Sequence, residues 1–230
     1  MRLDYLIAHT IGLSRKQAKK AIVDGQITIE GISKIKSNTQ IQAEHSVYFN
    51  GLQISMPHPR YYMLHKPAEY ICSTQDPHHE SVLTLFDYDD SLDLHIVGRL
   101  DLDSTGLLLL TNDGQWSHKI TSPKKQCCKI YLVHLADPIT QSAIIQLQTG
   151  IQLKGETKAT LPATVDIIDS FTIQISITEG RYHQVKRMLV AVNNHVKSLH
   201  RLQVGKIKLD SELAIGQYRP LTEAEINSIR

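Results

Sequence analysis

Residues 98–114, GRLDLDSTGLLLLTNDG, constrain the fold of this chain more than any other stretch. They set two aspartates, Asp101 and Asp103, directly before the most apolar run in the sequence, which reads as a buried strand. An ionised carboxylate carried toward a core needs a partner or a purpose, because burying it unpaired costs several kcal/mol. The run DSTG at 103–106 is turn chemistry, in which Asp and Ser side chains satisfy local amides, so Asp103 reads as the start of a turn. Asp101, between Leu100 and Leu102, has no such role and requires a cation from elsewhere, since Arg99 is too near to face the same way.

The densest source of cations is EGRYHQVKRM, residues 179–188. On a helix whose apolar face centres on Val185, Met188, Leu189 and Val192, Arg187 lies about 150° away and Lys186 about 110° away. Arg187 is then expected to face solvent or RNA, and Lys186 to sit at the rim of the buried face. Arg181 projects toward the apolar side at the helix start, so Arg181 and Lys186 compete as partners of Asp101.

The 230 residues suit one large domain, or a medium domain with a small appendage. A net charge of +2 does not announce nucleic acid globally, but residues 1–57 hold seven Lys and Arg against four Asp and Glu. In that segment Leu3, Leu6, Ile7 and Ile11 recur at helical spacing, Gly12 ends the helix, and SRKQ offers a capping box with Ser14 as N-cap. The second helix, from Arg15, places Arg15, Lys16, Lys19 and Lys20 on an arc of about 140°, with Ala18, Ala21 and Ile22 opposite. No acid lies within the stripe, so an external anion such as RNA phosphate is its natural partner, against the alternative of a solvated face.

Short strands at QITIEG and QAEHSVYFNG complete a unit of residues 1–55, too small to bury much alone. The tract with two prolines at 56–60 reads as a linker to a second domain, 61–230. There strands dominate: RYYMLHK, KIYLVHLA, PATVDII, FTIQISI, VKSLHRLQV and GKIKL, with helices at ITQSAIIQLQTG and after Gly180. Strands outnumber helices without regular alternation, which indicates an α+β domain with a mainly antiparallel or mixed sheet.

Other chemistries find little support. His78-His79 and the two aspartates lack a second ligand group at metal-binding spacing, so no metal is expected. No GxGxxG, GKS or GKT occurs, which argues against nucleotide cofactors. Cys72, Cys127 and Cys128 form no CxxC pair and read as reduced thiols. Neither a signal-peptide pattern nor an 18-residue apolar stretch is present, so a soluble, cytoplasmic protein without membrane contact is expected.

These pieces coincide in one family. Over essentially its whole length the chain resembles the ribosomal small-subunit pseudouridine synthase A family, through GRLDLDSTGLLLLTNDG, KIYLV and EGRYHQVKRM in that order. Residues 1 to about 50 resemble the S-four RNA-binding domain, of alpha-L fold. The resemblance implies cleavage of the bond between a uridine's anomeric carbon and its ring nitrogen, rotation of the base, and rejoining through carbon 5, with no cofactor. It implies Asp101 as the catalytic aspartate, Tyr131 stacking on the uracil, and Lys186 pairing with Asp101 to keep it ionised. It further places Arg99 in the RNA beside the flipped nucleotide, Leu199 against the ring, and Arg181 and Arg187 in the basic motif. The C-terminus without a basic tail and the Tyr182-His183 pair resemble the small-subunit subgroup. A monomer acting on 16S ribosomal RNA in a partly assembled small subunit is expected. The alternatives are a large-subunit target, a non-catalytic assembly factor, and a sugar hydrolase using both aspartates.

Overall fold

The computed structural model describes residues 1–42, 44–55, 58–73, 76–87, 91 and 93–229. The chain divides into two compact units, Met1–Pro59 and Arg60–Arg230. The expected linker at 56–60 includes residues 56 and 57, which lie outside the described residues.

In the first unit α1 (Leu3–Ile11) ends at Gly12, whose φ of 73° a side chain would resist. α2 (Arg15–Val23) starts from Ser14, whose hydroxyl accepts the Gln17 amide while the Gln17 side chain reaches back, the reciprocal cap expected from SRKQ. β1 (Ile27–Ile29), β2 (Val47–Phe49) and β3 (Leu52–Ile54) form an antiparallel sheet in that order. Leu3, Leu6 and Ile7 of α1, Ala18 and Ile22 of α2, and Ile27, Ile29, Val47 and Ile54 of the strands share one core. That core leaves Arg15, Lys16, Lys19 and Lys20 exposed on the outer face of α2.

The second unit contains β4 (Tyr61–Lys66), β5 (His95–Val97), β6 (Thr105–Thr111), α3 (Gly114–Thr121), β7 (Lys129–Leu135) and α4 (Gln141–Thr149). It continues with β8 (Thr164–Asp169), β9 (Thr172–Ile177), α5 (Gln184–Ala191), β10 (Val196–Val204), β11 (Ile207–Lys208), β12 (Tyr218–Pro220) and α6 (Glu223–Asn227). The strands join in one sheet in the order β12-β4-β6-β10-β7-β9-β8, with β5 on β6 and β11 on β10. Every pairing is antiparallel except β6 with β10, so the sheet is mixed, in an α+β unit as expected.

The four leucines of β6 bury both faces of this sheet, and all are fully inaccessible. Leu108 and Leu110 join Tyr62, Leu64, Ile144 of α4 and Val185, Met188 and Leu189 of α5. Leu107 and Leu109 join Met63, Trp116 and Ile120 of α3, and Val204 on the other side. A central strand covered on two faces has no polar side to present, which is why the run does not alternate. Each leucine so buried contributes about 1.5 to 3 kcal/mol. α3 is an addition to the sequence reading: Asp113 caps it by accepting the Gln115 and Trp116 amides at 2.9 and 3.1 Å. The Tyr61 hydroxyl donates to the same carboxylate at 2.8 Å, and burial, reinforced by that bond, pushes the phenol up to about 12.

Candidate active site

Asp101 lies on the segment between β5 and β6, and the backbone of that segment is held group by group. Lys66, the fully buried last residue of β4, donates its ammonium to the carbonyls of Pro67, Leu102 and Ser104 at 2.9, 3.3 and 2.8 Å. Arg201 of β10, 2% exposed, donates to Leu107 O at 2.7 Å and to Arg99 O at 3.2 Å. The Leu100 amide donates to Cys72 Sγ at 3.4 Å, Leu102 O also accepts from the Glu69 amide at 2.9 Å, and the Ser104 amide closes a turn on Asp101 O at 3.1 Å. Loop carbonyls that enter a core must find donors, and here two buried cations supply them. Burial pushes the Lys66 ammonium below its ordinary value, against the attraction of Cys72 and of the Asp103 and Asp101 carboxylates.

Asp101 meets a different partner at each oxygen: Oδ2 is 3.3 Å from Lys186 Nζ, and Oδ1 is 3.3 Å from His183 Nε2. Lys186 also donates to Asp103 Oδ1 at 2.5 Å, so one ammonium bridges both carboxylates. Burial opposes the charge on Lys186, but the hydrogen bond it donates to Asp103 and the attraction of both carboxylates outweigh it, leaving the pKa raised and the ammonium charged. For Asp103 burial acts upward, and the hydrogen bond and charge of Lys186 reverse it, holding the carboxyl below the usual range. The side chain of Asp101 is 23% exposed and that of Asp103 is 67% exposed, so Asp101 is the carboxylate enclosed by the site.

Tyr131 of β7 and Leu199 of β10 are 7% and 6% exposed. Tyr131 pairs with Arg201 and Leu199 with Val133, which sets all four on one face of the sheet. Tyr131 and Leu199 belong to the apolar cluster that also contains Leu100 and Val185, each next in sequence to a charged member of the site. Arg99 is exposed, and among the described residues its side chain enters no ion pair.

The basic motif departs from the helical-wheel expectation. α5 begins at Gln184, so Arg181 precedes the helix. Its guanidinium contacts Glu179 at 3.2 Å and Glu156 at 3.7 Å and donates to Lys158 O and Ala159 O, both at 2.7 Å. The competition for Asp101 therefore goes to Lys186. Arg187 does not face open solvent, as was expected: it pairs with Glu156 at 2.9 Å and donates to Tyr182 O and Lys154 O. The wheel treats the helix in isolation, and both arginines turn to a loop that the wheel does not include. The turn lies two residues earlier than expected, closed by the Ser104 amide on Asp101 O, with Thr105 and Gly106 already in β6; Asp103 falls inside it rather than at its start, and its carboxylate takes the shorter contact to Lys186.

Three residues of the site were not anticipated: Lys66, Arg201 and His183. For Arg201 a signal existed, since it stands two residues from Leu199 on a strand and so shares its buried face. His183 carries a φ of 46° and caps no amide, while its ring stacks on that of Tyr182 with centroids 3.9 Å apart. A separate concavity of about 660 Å³, lined by residues including His65, His200, Gln174 and Lys208, shares no residue with the Asp101 cluster. Among the described residues no three His, Cys, Asp or Glu side chains are grouped to hold a metal ion.

Comparison with known proteins places the chain in a family. Residues 60–191 match the family described as RNA pseudouridylate synthase. The chain is similar, at 47% identity over 230 residues and 100% of both chains, to the ribosomal small subunit pseudouridine synthase A of Escherichia coli (strain K12). It is 44% identical over 229 residues to the protein of that name from Vibrio cholerae serotype O1, covering 100% of this chain and 99% of the relative. A solved structure described as the crystal structure of pseudouridylate synthase matches with a TM-score of 0.75 at 44% identity, over 100% of each chain. The matched residues include Asp101, Tyr131 and Lys186, and the chain belongs to the RNA pseudouridylate synthase family.

Proposed function

We propose that this protein converts one uridine of small-subunit ribosomal RNA to pseudouridine, with Asp101 as the catalytic carboxylate and no cofactor. The observation that carries the reading is the enclosed Asp101, set on a pinned loop and paired with Lys186 at 3.3 Å, in a chain 47% identical to an enzyme named for this subunit. Asp101 handles the sugar–base unit while the bond to the ring nitrogen breaks and the base rejoins through carbon 5. Lys186 stays charged beside it, and Tyr131 and Leu199 flank the uracil. Holding the reacting group on a fixed backbone lowers the cost of reaching the reactive geometry.

A uridine within folded RNA must be extruded before it can react, at a cost of a few kcal/mol. Phosphate contacts away from the reacting atoms can offset that cost. Arg15, Lys16, Lys19 and Lys20 of α2 take this part, with residues 1–55 as an S-four-like RNA-binding domain and 61–230 as the catalytic domain. Arg99 enters the RNA beside the extruded nucleotide, while Arg181 and Arg187 brace the loop at 154–159. The working form is a cytoplasmic monomer, and its substrate is 16S RNA in a partly assembled small subunit. Among the described residues no helix is long and apolar enough to cross a membrane.

The test is to map pseudouridines in free 16S RNA, partly assembled small subunits and large-subunit RNA after adding the purified protein. One new site in the partly assembled small subunit is expected, and none with Asp101→Asn. A site in large-subunit RNA, or activity surviving Asp101→Asn, would overturn the target or the catalytic assignment respectively.

A further inference from the structure

The cations of the motif at 179–188 are engaged within the protein. Arg181 pairs with Glu179 and Glu156, Arg187 pairs with Glu156, and Lys186 bridges Asp101 and Asp103. RNA that reaches Asp101 along this rim therefore meets charges that already have partners. A contact of another kind is needed to hold it at this edge of the site.

Tyr182, inside the same motif, offers one. It is 75% exposed, and among the described residues its hydroxyl has no hydrogen-bond partner. A single exposed aromatic needs no explanation by itself. Two independent observations set this one apart. The first is its place: its ring stacks on that of His183, with centroids 3.9 Å apart and planes at 18°, and His183 Nε2 is 3.3 Å from Asp101 Oδ1. The ring thus stands one aromatic layer from a side chain that touches the reacting carboxylate, with one face covered and the other open. The second is its backbone, which is braced on both sides. Arg187 donates to Tyr182 O at 3.2 Å and to Lys154 O at 2.9 Å. The Arg181 amide donates to Gln184 Oε1 at 2.8 Å, and its guanidinium to Lys158 O and Ala159 O. An aromatic presented on a held backbone has little freedom left to lose when it binds.

The RNA supplies the complementary surface. Extruding a uridine takes it out of its stack and leaves the neighbouring base with an uncovered face. Unpaired bases are recognised by stacking on aromatic side chains, tyrosine among them. We propose that Tyr182 is an RNA-binding residue whose open face stacks on the base of a nucleotide adjacent to the extruded uridine. This rests on the isomerase reading above. Tyr182 replaces the stacking partner that the flanking base has lost, which favours binding of the extruded form. The contact is made by a π face and not by charge, so it accepts any base and adds no dependence on salt.

Filter binding and single-turnover pseudouridine formation test this, with an RNA fragment carrying the mapped target uridine and two versions in which the preceding or the following nucleotide is abasic. Tyr182→Ala is expected to raise the Kd of the intact RNA roughly tenfold, with the rate at saturating protein within about twofold of normal. The slope of log K against log salt is expected to stay unchanged. One abasic RNA is expected to bind the unaltered protein weakly and to be indifferent to Tyr182→Ala, while Tyr182→Phe and Tyr182→Trp keep the normal Kd. A Tyr182→Ala protein with normal Kd, an equal loss on all three RNAs, or a Tyr182→Phe protein as weak as Tyr182→Ala would overturn the assignment. A loss confined to the saturated rate would do the same and make Tyr182 a support for His183 and Asp101. If Tyr182→Ala does not fold, equal binding of the three RNAs by the unaltered protein would overturn it. If the unaltered protein forms no pseudouridine in any RNA, the isomerase reading falls and this assignment with it, whereas every other outcome leaves that reading standing.

Discussion

Lys186 divides its charge between two carboxylates, 3.3 Å from Asp101 and 2.5 Å from Asp103. Because Asp103 is largely exposed, its pair with Lys186 is worth about 1 kcal/mol or less, and losing it leaves the ammonium wholly to Asp101. Asp103→Asn should therefore change the single-turnover rate by roughly fivefold or less, whereas Asp101→Asn should cost about three orders of magnitude or more. Equal losses at the two positions would instead mark a hydrolase with paired carboxylates. Asp101 was legible in the sequence as a carboxylate between two leucines without a local partner; Lys186, at the rim of an apolar helix face, was legible only as one of two candidates with Arg181 until the family resemblance chose it. Lys66 and His183 were not. Lys66 is buried by the pairing of β4 with β6, residues 61–66 against 106–111, and that register is absent from local composition.

At the scale of elements, the parallel contact between β6 and β10 positions the catalytic segment, and one glycine permits it. Gly106 pairs with Arg201 and has a φ of 105°. A Cβ there would stand 2.4 Å from Arg201 O and 2.6 Å from Arg201 N, atoms that cannot move without opening the sheet. Gly106→Ala is expected to cost about 3 to 5 kcal/mol, read as a lowered midpoint in denaturant, with a matching loss of activity. The stronger strands announced themselves through apolar runs, but β3, β12 and α3 did not. β3 has three residues with Leu52 and Gln53 exposed, β12 ends in Pro220, and α3 buries only Trp116, Ser117 and Ile120. Elements this short are chosen by what they pack against, so their own pattern carries little signal.

For the whole molecule, charge is partitioned between the units. Replacing Lys16 and Lys20 by Gln is expected to raise the Kd for ribosomal RNA and to reduce the slope of log K against log salt by roughly 1.5 to 2. Filter binding across a salt series reads both effects, and an unchanged slope would return α2 to a solvated face. In the second unit Arg219 of β12 joins Asp210, at 2.7 Å, to Glu225 of α6, at 2.9 Å. The Glu212 amide and then Arg219 hold the Asp210 carboxyl below its usual range, and Arg219 does the same for Glu225. Carboxyls depressed in the folded state stabilise it fully above about pH 5, and that contribution is lost as pH falls through their lowered folded-state values. Arg219→Leu should therefore move acid unfolding, followed by circular dichroism, to higher pH.

The strand order also dictates when the enzyme can first exist during its own synthesis. β4, the first strand of its sheet to be made, carries β12 on one side, with Tyr62 opposite Pro220. Asp101 meets its lysine only when residue 186 has been added, and Gly106 meets its neighbour only at residue 201. Local helices form early in a growing chain, and pairings between distant strands form last. A growing chain thus cannot close the Asp101–Lys186 pair before residue 186 has been made, nor seat β6 beside β10 before residue 201 has been made.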